Sequence, residues 1–222
     1  MRAGIFRTPR FRVVAPVLLA LLATLTPSAS AQSLFKYAPA TQWGYTFAGP
    51  AANSPSGPVP KGANLEKQST INVNYSNFPD WAKKELQLAV DIWGANFQSK
   101  VPITIDATWS SSQSIVVLGS ARPGGYFAGF SGAPDSSLWY PSALANALAG
   151  KDLDVRSAEI TINVNSRADW NRRGDGSPTT REYDLKSVFI HEMGHGLGFL
   201  SNDSYDSYLG YGSIEQPTPF DA

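Results

Sequence analysis

The amino-acid sequence predicts one α+β domain. Three observations predict it. The 222 residues are 42% hydrophobic, which is enough for one sizeable core. Strand-like and helix-like periodicities follow one another along the chain, and no internal repeat is visible. This composition excludes the coiled-coil, collagen-like and wholly disordered classes.

The charge of the chain is divided unevenly along its length. Residues 1–31 contain four arginines and no acidic residue, so the remaining chain carries 14 basic and 18 acidic side chains. A net negative chain is repelled by the phosphate backbone, so no nucleic acid is expected as a partner. The chain has no cysteine, and disulfides therefore do not stabilise it.

The first 31 residues have the three parts of a secretory signal peptide. Arg2–Arg12 is basic, Val13–Leu25 is an apolar run of 13 residues, and Ala29–Ala31 is a small-residue cleavage site. A membrane-spanning helix needs about 20 apolar residues, so this run is too short to be an anchor. The protein is predicted to be secreted, either outside the cell or to the periplasm or cell surface, with no stable membrane insertion after signal removal.

Residues 32–64 are predicted to form a leader segment before a folded domain at residues 65–222. The segment is rich in alanine, proline, glycine and serine. Its prolines prevent a long helix and favour turns, so a loop is expected: Pro50, Pro55, Pro58 and Pro60.

The folded domain is predicted to begin with a strand, a helix and two further strands. Ile71–Tyr75 alternates apolar and polar residues, as a half-buried strand does. Trp81–Phe97 has apolar residues at three- and four-residue steps, which predicts a helix with one buried face. Val101–Trp109 alternates again, and Ile115–Leu118 is an apolar run suited to a buried strand.

The middle of the domain is predicted to contain a long excursion, a short helix and another strand. Arg122–Tyr140 is rich in glycine and aromatic residues, which indicates an ordered surface excursion. Pro141–Leu148 is typical of a short helix with proline in its first turn. Glu159–Asn165 has the pattern of a strand with one solvated face, and Arg167–Thr180 that of a polar loop.

The last predicted helix contains the candidate catalytic and metal-binding residues. It begins after Asp184, a suitable N-cap, and includes His-Glu-Met-Gly-His at residues 191–195. Residues i and i+4 share one helix face, so His191 and His195 can bind one metal ion. Glu192 lies about 100° further round the helix, where its carboxylate can take a proton from water. The pattern predicts a Zn²⁺ site with Glu192 as the catalytic base; the alternative is a core helix that happens to contain two histidines.

The stretch H-E-M-G-H-G-L-G-F at residues 191–199 resembles the metzincin zinc proteases, whose pattern is H-E-x-x-H-x-x-G-x-x-H/D. Gly198 matches the glycine at which the chain turns back toward the metal. The resemblance, in the form shared by the leishmanolysin-like branch, implies a zincin-like N-terminal subdomain with a mixed twisted sheet, a backing helix and an active-site helix that carries the motif. It also implies a secreted zinc endopeptidase that hydrolyses protein or peptide substrates with a metal-activated water. An edge strand would pair with the substrate, and Ile160–Asn165 would fill that role.

The third metal ligand departs from the family pattern. It is expected at position 201, where the chain has Ser201, whose hydroxyl is a poor zinc ligand. The leishmanolysin-like branch places a third histidine after a long insertion, and this chain has neither a third histidine nor a methionine after Met193. The sequence is therefore expected to be C-terminally incomplete. The candidate ligands within it are carboxylates, and a ligand beyond the chain is the alternative: Asp203, Asp206 and Glu215.

Two weaker patterns point to other kinds of site. Arg173–Asp175 matches the Arg-Gly-Asp tripeptide of integrin-binding loops, but three residues recur easily by chance. Four aspartates could bind Ca²⁺ through oxygen, although solvated charge explains them equally simply: Asp152, Asp154, Asp169 and Asp175.

Two functions follow from these observations. The first is the zinc endopeptidase, with His191 and His195 as metal ligands and Glu192 as the base. The second is a non-catalytic exported binding or adhesion module on the same zincin-like fold, with an incomplete metal site. The presence of a third ligand separates the two.

Overall fold

The computed structural model describes residues 35–48, 66–175 and 177–200. The predicted signal peptide at residues 1–31 lies outside this part of the chain. No helix within the described ranges has the length and apolar character needed to cross a bilayer. The described residues form these strands and helices: β1 Lys36–Pro39, β2 Gly44–Phe47, β3 Ile71–Ser76, α1 Asp80–Asn96, β4 Ile103–Ser110, β5 Val117–Pro123, β6 Gly125–Ala128, β7 Tyr140–Pro141, α2 Ser142–Ala149, β8 Ile160–Asn165 and α3 Leu185–Gly196.

The larger sheet has five strands in the order β2-β5-β8-β4-β3. Strands β3, β4 and β8 are parallel, whereas β5 and β2 are antiparallel to their neighbours. Helix α1 connects the parallel strands β3 and β4, because parallel neighbours need a crossover and not a tight turn. The predicted α+β class and mixed sheet are confirmed.

Helices α1 and α3 pack against each other, and α3 also packs on β5, β8 and β2. Gly196 allows the end of α3 to lie close to β8, since a Cβ there would overlap the side chain of Ile160. The core between helices and sheet is made of large apolar side chains that are at most 2% exposed: Leu86, Ile103, Ile105, Ile160, Ile162, Leu185, Phe189 and Met193.

Most of the periodic elements are confirmed within a few residues of their predicted bounds. These elements are β3, α1, β4, α2 and α3. The strand predicted at Ile115–Leu118 is displaced, since β5 begins at Val117 and continues to Pro123. Ile115 is 72% exposed and lies before the strand. An apolar run of four residues does not show where a strand ends when glycine and serine continue it.

The predicted surface excursion at Arg122–Tyr140 contains a buried strand. Strand β6 lies between β1 and β7 in a three-stranded sheet, and Phe127 on β6 is only 2% exposed. Strands β1 and β2 both lie within the segment that was predicted to be a leader loop. Composition alone was misleading there, because strand pairing supplies what isolated segments of four residues lack.

The prediction that Ile160–Asn165 is an edge strand is wrong. This strand, β8, lies in the middle of the sheet, paired with β4 on one side and β5 on the other. Its alternating residues do face the core, as their periodicity indicated. However, periodicity reports which face is buried and not which neighbours a strand has. The edges of the five-stranded sheet are β2 and β3.

Candidate active site

Helix α3 is fixed at its start by a cap and in its middle by α1. The carboxylate of Asp184 accepts a hydrogen bond of 3.0 Å from the backbone N–H of Ser187, as predicted for an N-cap. The indole N–H of Trp93 donates to the carbonyl oxygen of Ile190 at 3.0 Å. This bond joins α1 to α3 one residue before His191, so the candidate site rests on the core.

His195 is held in one tautomer by the turn that follows α3. Its Nδ1 lies 2.6 Å from the carbonyl oxygen of Phe199. A carbonyl can only accept, so Nδ1 carries the proton and Nε2 has the lone pair. Gly198 makes this turn possible with a φ of 109°, which favours glycine. The predicted turn at Gly198 is therefore confirmed, and it serves to orient His195.

The residues present fit a zinc ion. His195 Nε2 is buried and has no hydrogen-bond partner among the described residues. A buried polar atom normally has a partner, and metal-binding histidines usually donate their second ring N–H to a carbonyl, as His195 does. The rings of His191 and His195 lie with centroids 4.4 Å apart and planes at 89°. Burial, and to a smaller extent the neighbouring His195, lowers the pKa of His191, which favours the neutral form that binds metals.

Glu192 is fully buried at 0% exposure. Its Oε1 accepts two hydrogen bonds from Thr46, one from the backbone N–H at 3.1 Å and one from Oγ1 at 2.5 Å. Its Oε2 has no hydrogen-bond partner within the described part of the chain. Burial raises the pKa of Glu192 to about 7, although the bonds from Thr46 act in the opposite direction. A pKa raised by burial is common among carboxylates at functional sites.

Two glycines allow the sheet to approach these side chains closely. A Cβ at Gly119 on β5 would lie 2.9 Å from Glu192 Oε1. A Cβ at Gly44 on β2 would overlap the ring of His195. Gly44 and Thr46 therefore place β2 directly against both the candidate base and one candidate ligand.

The described residues include two candidate metal ligands, His191 and His195. Among all the described residues, no group of three or more histidine, cysteine, aspartate or glutamate side chains is arranged to hold a metal ion. The sequence candidates all lie outside the described ranges, as does Ser201: Asp203, Asp206 and Glu215.

The predicted calcium ligands do not form a shared site in the part of the chain that is described. Asp152 accepts a hydrogen bond from the backbone N–H of Asp154, which stabilises a turn. Asp175 is instead bound to Asn171 and Arg173. The surrounding hydrogen bonds thus account for these carboxylates within their own loops.

The Arg-Gly-Asp tripeptide is part of an internal ion-pair network. The guanidinium of Arg173 contacts Asp175 at 3.1 Å and Glu182 at 2.8 Å. Gly174 between the two charged residues has a φ of 67°, which suits a tight turn. Both charged side chains of the tripeptide therefore have partners in the loop itself.

Sequence reasoning did not find Thr46 or Gly44 as residues of the candidate site. The segment Gly44–Phe47 contains tyrosine, threonine and phenylalanine, which favour strands, and that signal could have predicted β2. Nothing in the sequence indicated its neighbour on α3, because 146 residues separate Thr46 from Glu192.

The chain was also compared with known proteins. No protein-family model, curated protein or solved structure matches it. The function must therefore be argued from the geometry of the site.

Proposed function

We propose that the protein is a secreted zinc-dependent endopeptidase in which His191 and His195 bind Zn²⁺ and Glu192 is the general base. The observation that carries the proposal is the pair of buried atoms without partners among the described residues, His195 Nε2 and Glu192 Oε2. One can donate a lone pair to a metal and the other can accept a proton. Both belong to the same end of α3, which suits metal-assisted hydrolysis.

The chemistry is divided between the ion and the protein. When bound, Zn²⁺ would supply a Lewis acid that polarises the scissile carbonyl and acidifies water. Glu192 takes the proton of the attacking water on Oε2 and passes it to the leaving amine nitrogen. The carbonyl oxygen of Phe199 holds the Nδ1–H of His195 and so keeps Nε2 available as a ligand.

The fold and the motif support a protein or peptide as substrate. The stretch at residues 191–199 resembles the metzincins, and a mixed sheet backed by α1 and α3 is compatible with a zincin-like subdomain. The predicted signal peptide at residues 1–31 supports secretion. The third ligand is left open between Asp203, Asp206, Glu215 and a residue outside the chain.

A non-catalytic exported binding module is the second candidate function. The observation that favours it is the complete burial of Glu192 beneath Thr46, together with only two metal ligands in the described ranges. In this alternative the zincin-like fold has an incomplete metal site. The two candidates differ in whether the protein cleaves peptides when loaded with zinc.

The decisive experiment compares zinc content and casein hydrolysis in three forms of the full chain. Glu192→Gln should retain zinc and lose hydrolysis, because an amide cannot accept the proton from water. Glu66→Gln, which changes an exposed glutamate, is the matched control and should behave as wild type. Hydrolysis by Glu192→Gln at the wild-type rate would refute the mechanism.

A further inference from the structure

We propose that β2 is an internal occupant of the peptide-binding edge and holds the candidate active site closed until an extended peptide displaces it. The inference rests on the proposed function for the identity of the site. It adds a regulatory role for residues 44–47, which compete with substrate strands for the edge of β5.

Strand β2 is the edge of the five-stranded sheet that lies beside the candidate site. It pairs antiparallel with β5, with Gly44 opposite Ala121 and Thr46 opposite Gly119. The opposite edge, β3, lies three strands away from β5 in the sheet order. An extended peptide can join a sheet only at an edge with free backbone groups. A peptide added to the outer side of β2 would lie one strand further from α3, so a peptide that pairs with β5 must take the place of β2.

Strand β2 also covers two of the three candidate groups, Glu192 and His195, whereas His191 is exposed. Thr46 occupies Oε1 of Glu192 with two hydrogen bonds, and the carboxylate is 0% exposed. Gly44 lies on the ring of His195, whose Nε2 is buried. A base that neither water nor substrate can reach cannot act. Hydrolysis at this site therefore requires β2 to leave.

The attachment of β2 is short, and one backbone hydrogen bond continues it, from the Ala48 N–H to the carbonyl oxygen of Val116 at 2.7 Å. The strand has four residues, and its register shifts between Thr46 and Phe47. The side chains of Tyr45 and Phe47 are 46% and 61% exposed, so releasing the strand uncovers little further apolar surface from them. A short edge strand of this kind is expected to exchange readily with a competing strand.

The residues before β2 are held more firmly, which limits the movement to the strand itself. The guanidinium of Arg122 donates to the carbonyl oxygen of Ala40 at 2.9 Å and lies 4.9 Å from the ring centroid of Trp43. Strand β1 is paired with β6 over four residues. Residues 36–43 can thus remain in place while residues 44–48 separate from β5.

A reversible disulfide between β2 and β5, here called the lock, tests the proposal. Tyr45 and Ser120 are directly opposite each other in the antiparallel pair and lie one residue from those that face α3. Cysteines at directly opposite positions are close enough for a disulfide, and the chain has no other cysteine. In Tyr45→Cys/Ser120→Cys, oxidation should reduce casein hydrolysis and the binding of fluorescein-labelled casein peptides by about tenfold or more, since the open state is removed. Reduction with a phosphine should restore both.

A second variant opens the site instead of locking it. Gly44→Val introduces a side chain that cannot fit against His195, so β2 should detach. Hydrogen exchange at residues 44–48 should become faster, and peptide binding and hydrolysis per bound zinc should both increase. Asn72→Val, on the exposed side of the far edge β3, is the matched control and should leave all three measurements unchanged.

The outcomes separate this proposal from the proposed function. If the lock abolishes peptide binding and Gly44→Val increases it, but no form hydrolyses casein, then β2 closes a binding site and the endopeptidase proposal fails. If the oxidised lock binds and cleaves as well as the reduced form, β2 does not close the site. If Gly44→Val unfolds, the lock alone decides, because its two forms differ only in one disulfide.

Discussion

The two edges of the five-stranded sheet differ in what they present. Strand β3 has six residues, runs parallel to β4 and alternates half-buried with exposed side chains. Strand β2 has four residues, is antiparallel to β5 and directs Gly44 and Thr46 at His195 and Glu192. Strand β3 packs against the core, whereas β2 contacts the candidate active site. The role proposed for the β2 edge therefore comes from its contact with α3 and not from the pattern of the strand itself.

The largest expected effect of a substitution is at the residues that β2 covers. His195→Ala removes the Nε2 lone pair, so zinc binding and casein hydrolysis should both fall below detection. Zinc titration by calorimetry and a casein assay measure the two effects. Asn72→Ala, on β3, is the control and should retain both properties. Stoichiometric, tight zinc binding by His195→Ala would show that this histidine is not a ligand.

A moderate effect is expected where β2 contacts the base. Thr46→Val keeps the backbone N–H bond to Glu192 but removes the hydroxyl bond, which is worth about 1 kcal/mol. Since β2 is then held less firmly, hydrolysis per bound zinc should increase by about threefold to tenfold. Steady-state assays at known zinc occupancy measure this change.

The control for Thr46→Val is Thr46→Ser, which retains a hydroxyl and should match wild type. A loss of kcat in Thr46→Val that serine restores would contradict the covering role. Thr46 would then position Glu192 during turnover.

A smaller effect, on stability alone, is expected at the β3 edge in alkaline solution. Burial raises the pKa of Tyr75 above its ordinary value of 10.0, so folding favours the neutral phenol. The stability that this provides is present below pH 10 and is lost as the pH rises through the folded-state pKa. In Tyr75→Phe the free energy of unfolding should decline less steeply above pH 10. Urea denaturation at several pH values measures it.

The matched control for the alkaline experiment is Tyr45→Phe on β2, whose side chain is 46% exposed. Its stability should follow the wild-type pH dependence, since Tyr75 is unchanged in this variant. Identical slopes for Tyr75→Phe and wild type would show that burial of Tyr75 does not couple to folding.

The smallest effect is expected for the polar contacts of β3. The side-chain amide of Asn74 donates to Asp106 at 2.9 Å on the surface of the sheet. Asn74→Ala should change the free energy of unfolding by no more than about 0.5 kcal/mol, because exposed substitutions are usually nearly neutral. It should leave casein hydrolysis unchanged. A change in hydrolysis larger than that of Thr46→Val would show that the β3 edge, and not β2, governs activity.

The elements that were predictable from sequence are those whose signal is local. The stripe of α1, the alternation of β3 and the i, i+4 spacing of His191 and His195 each lie within one segment, where periodicity reports the buried face. The wrong prediction concerned β8, whose alternation was correct but whose neighbours β4 and β5 were not visible in it. Strand order depends on contacts between distant segments, and no local pattern contains it.

Three features of the site were visible in the sequence: the helical spacing of the two histidines, the position of Glu192 between them and the glycine turn at Gly198. These follow from the geometry of a helix and from the φ that glycine can adopt. The burial of Glu192 beneath Thr46 was not visible there, because that contact joins residues 146 positions apart and forms only in the folded chain. The pairing of β2 with β5 places Thr46 there, and the missing side chain of Gly44 allows it. The chemical groups are therefore a local property, whereas access to them is a property of the folded chain.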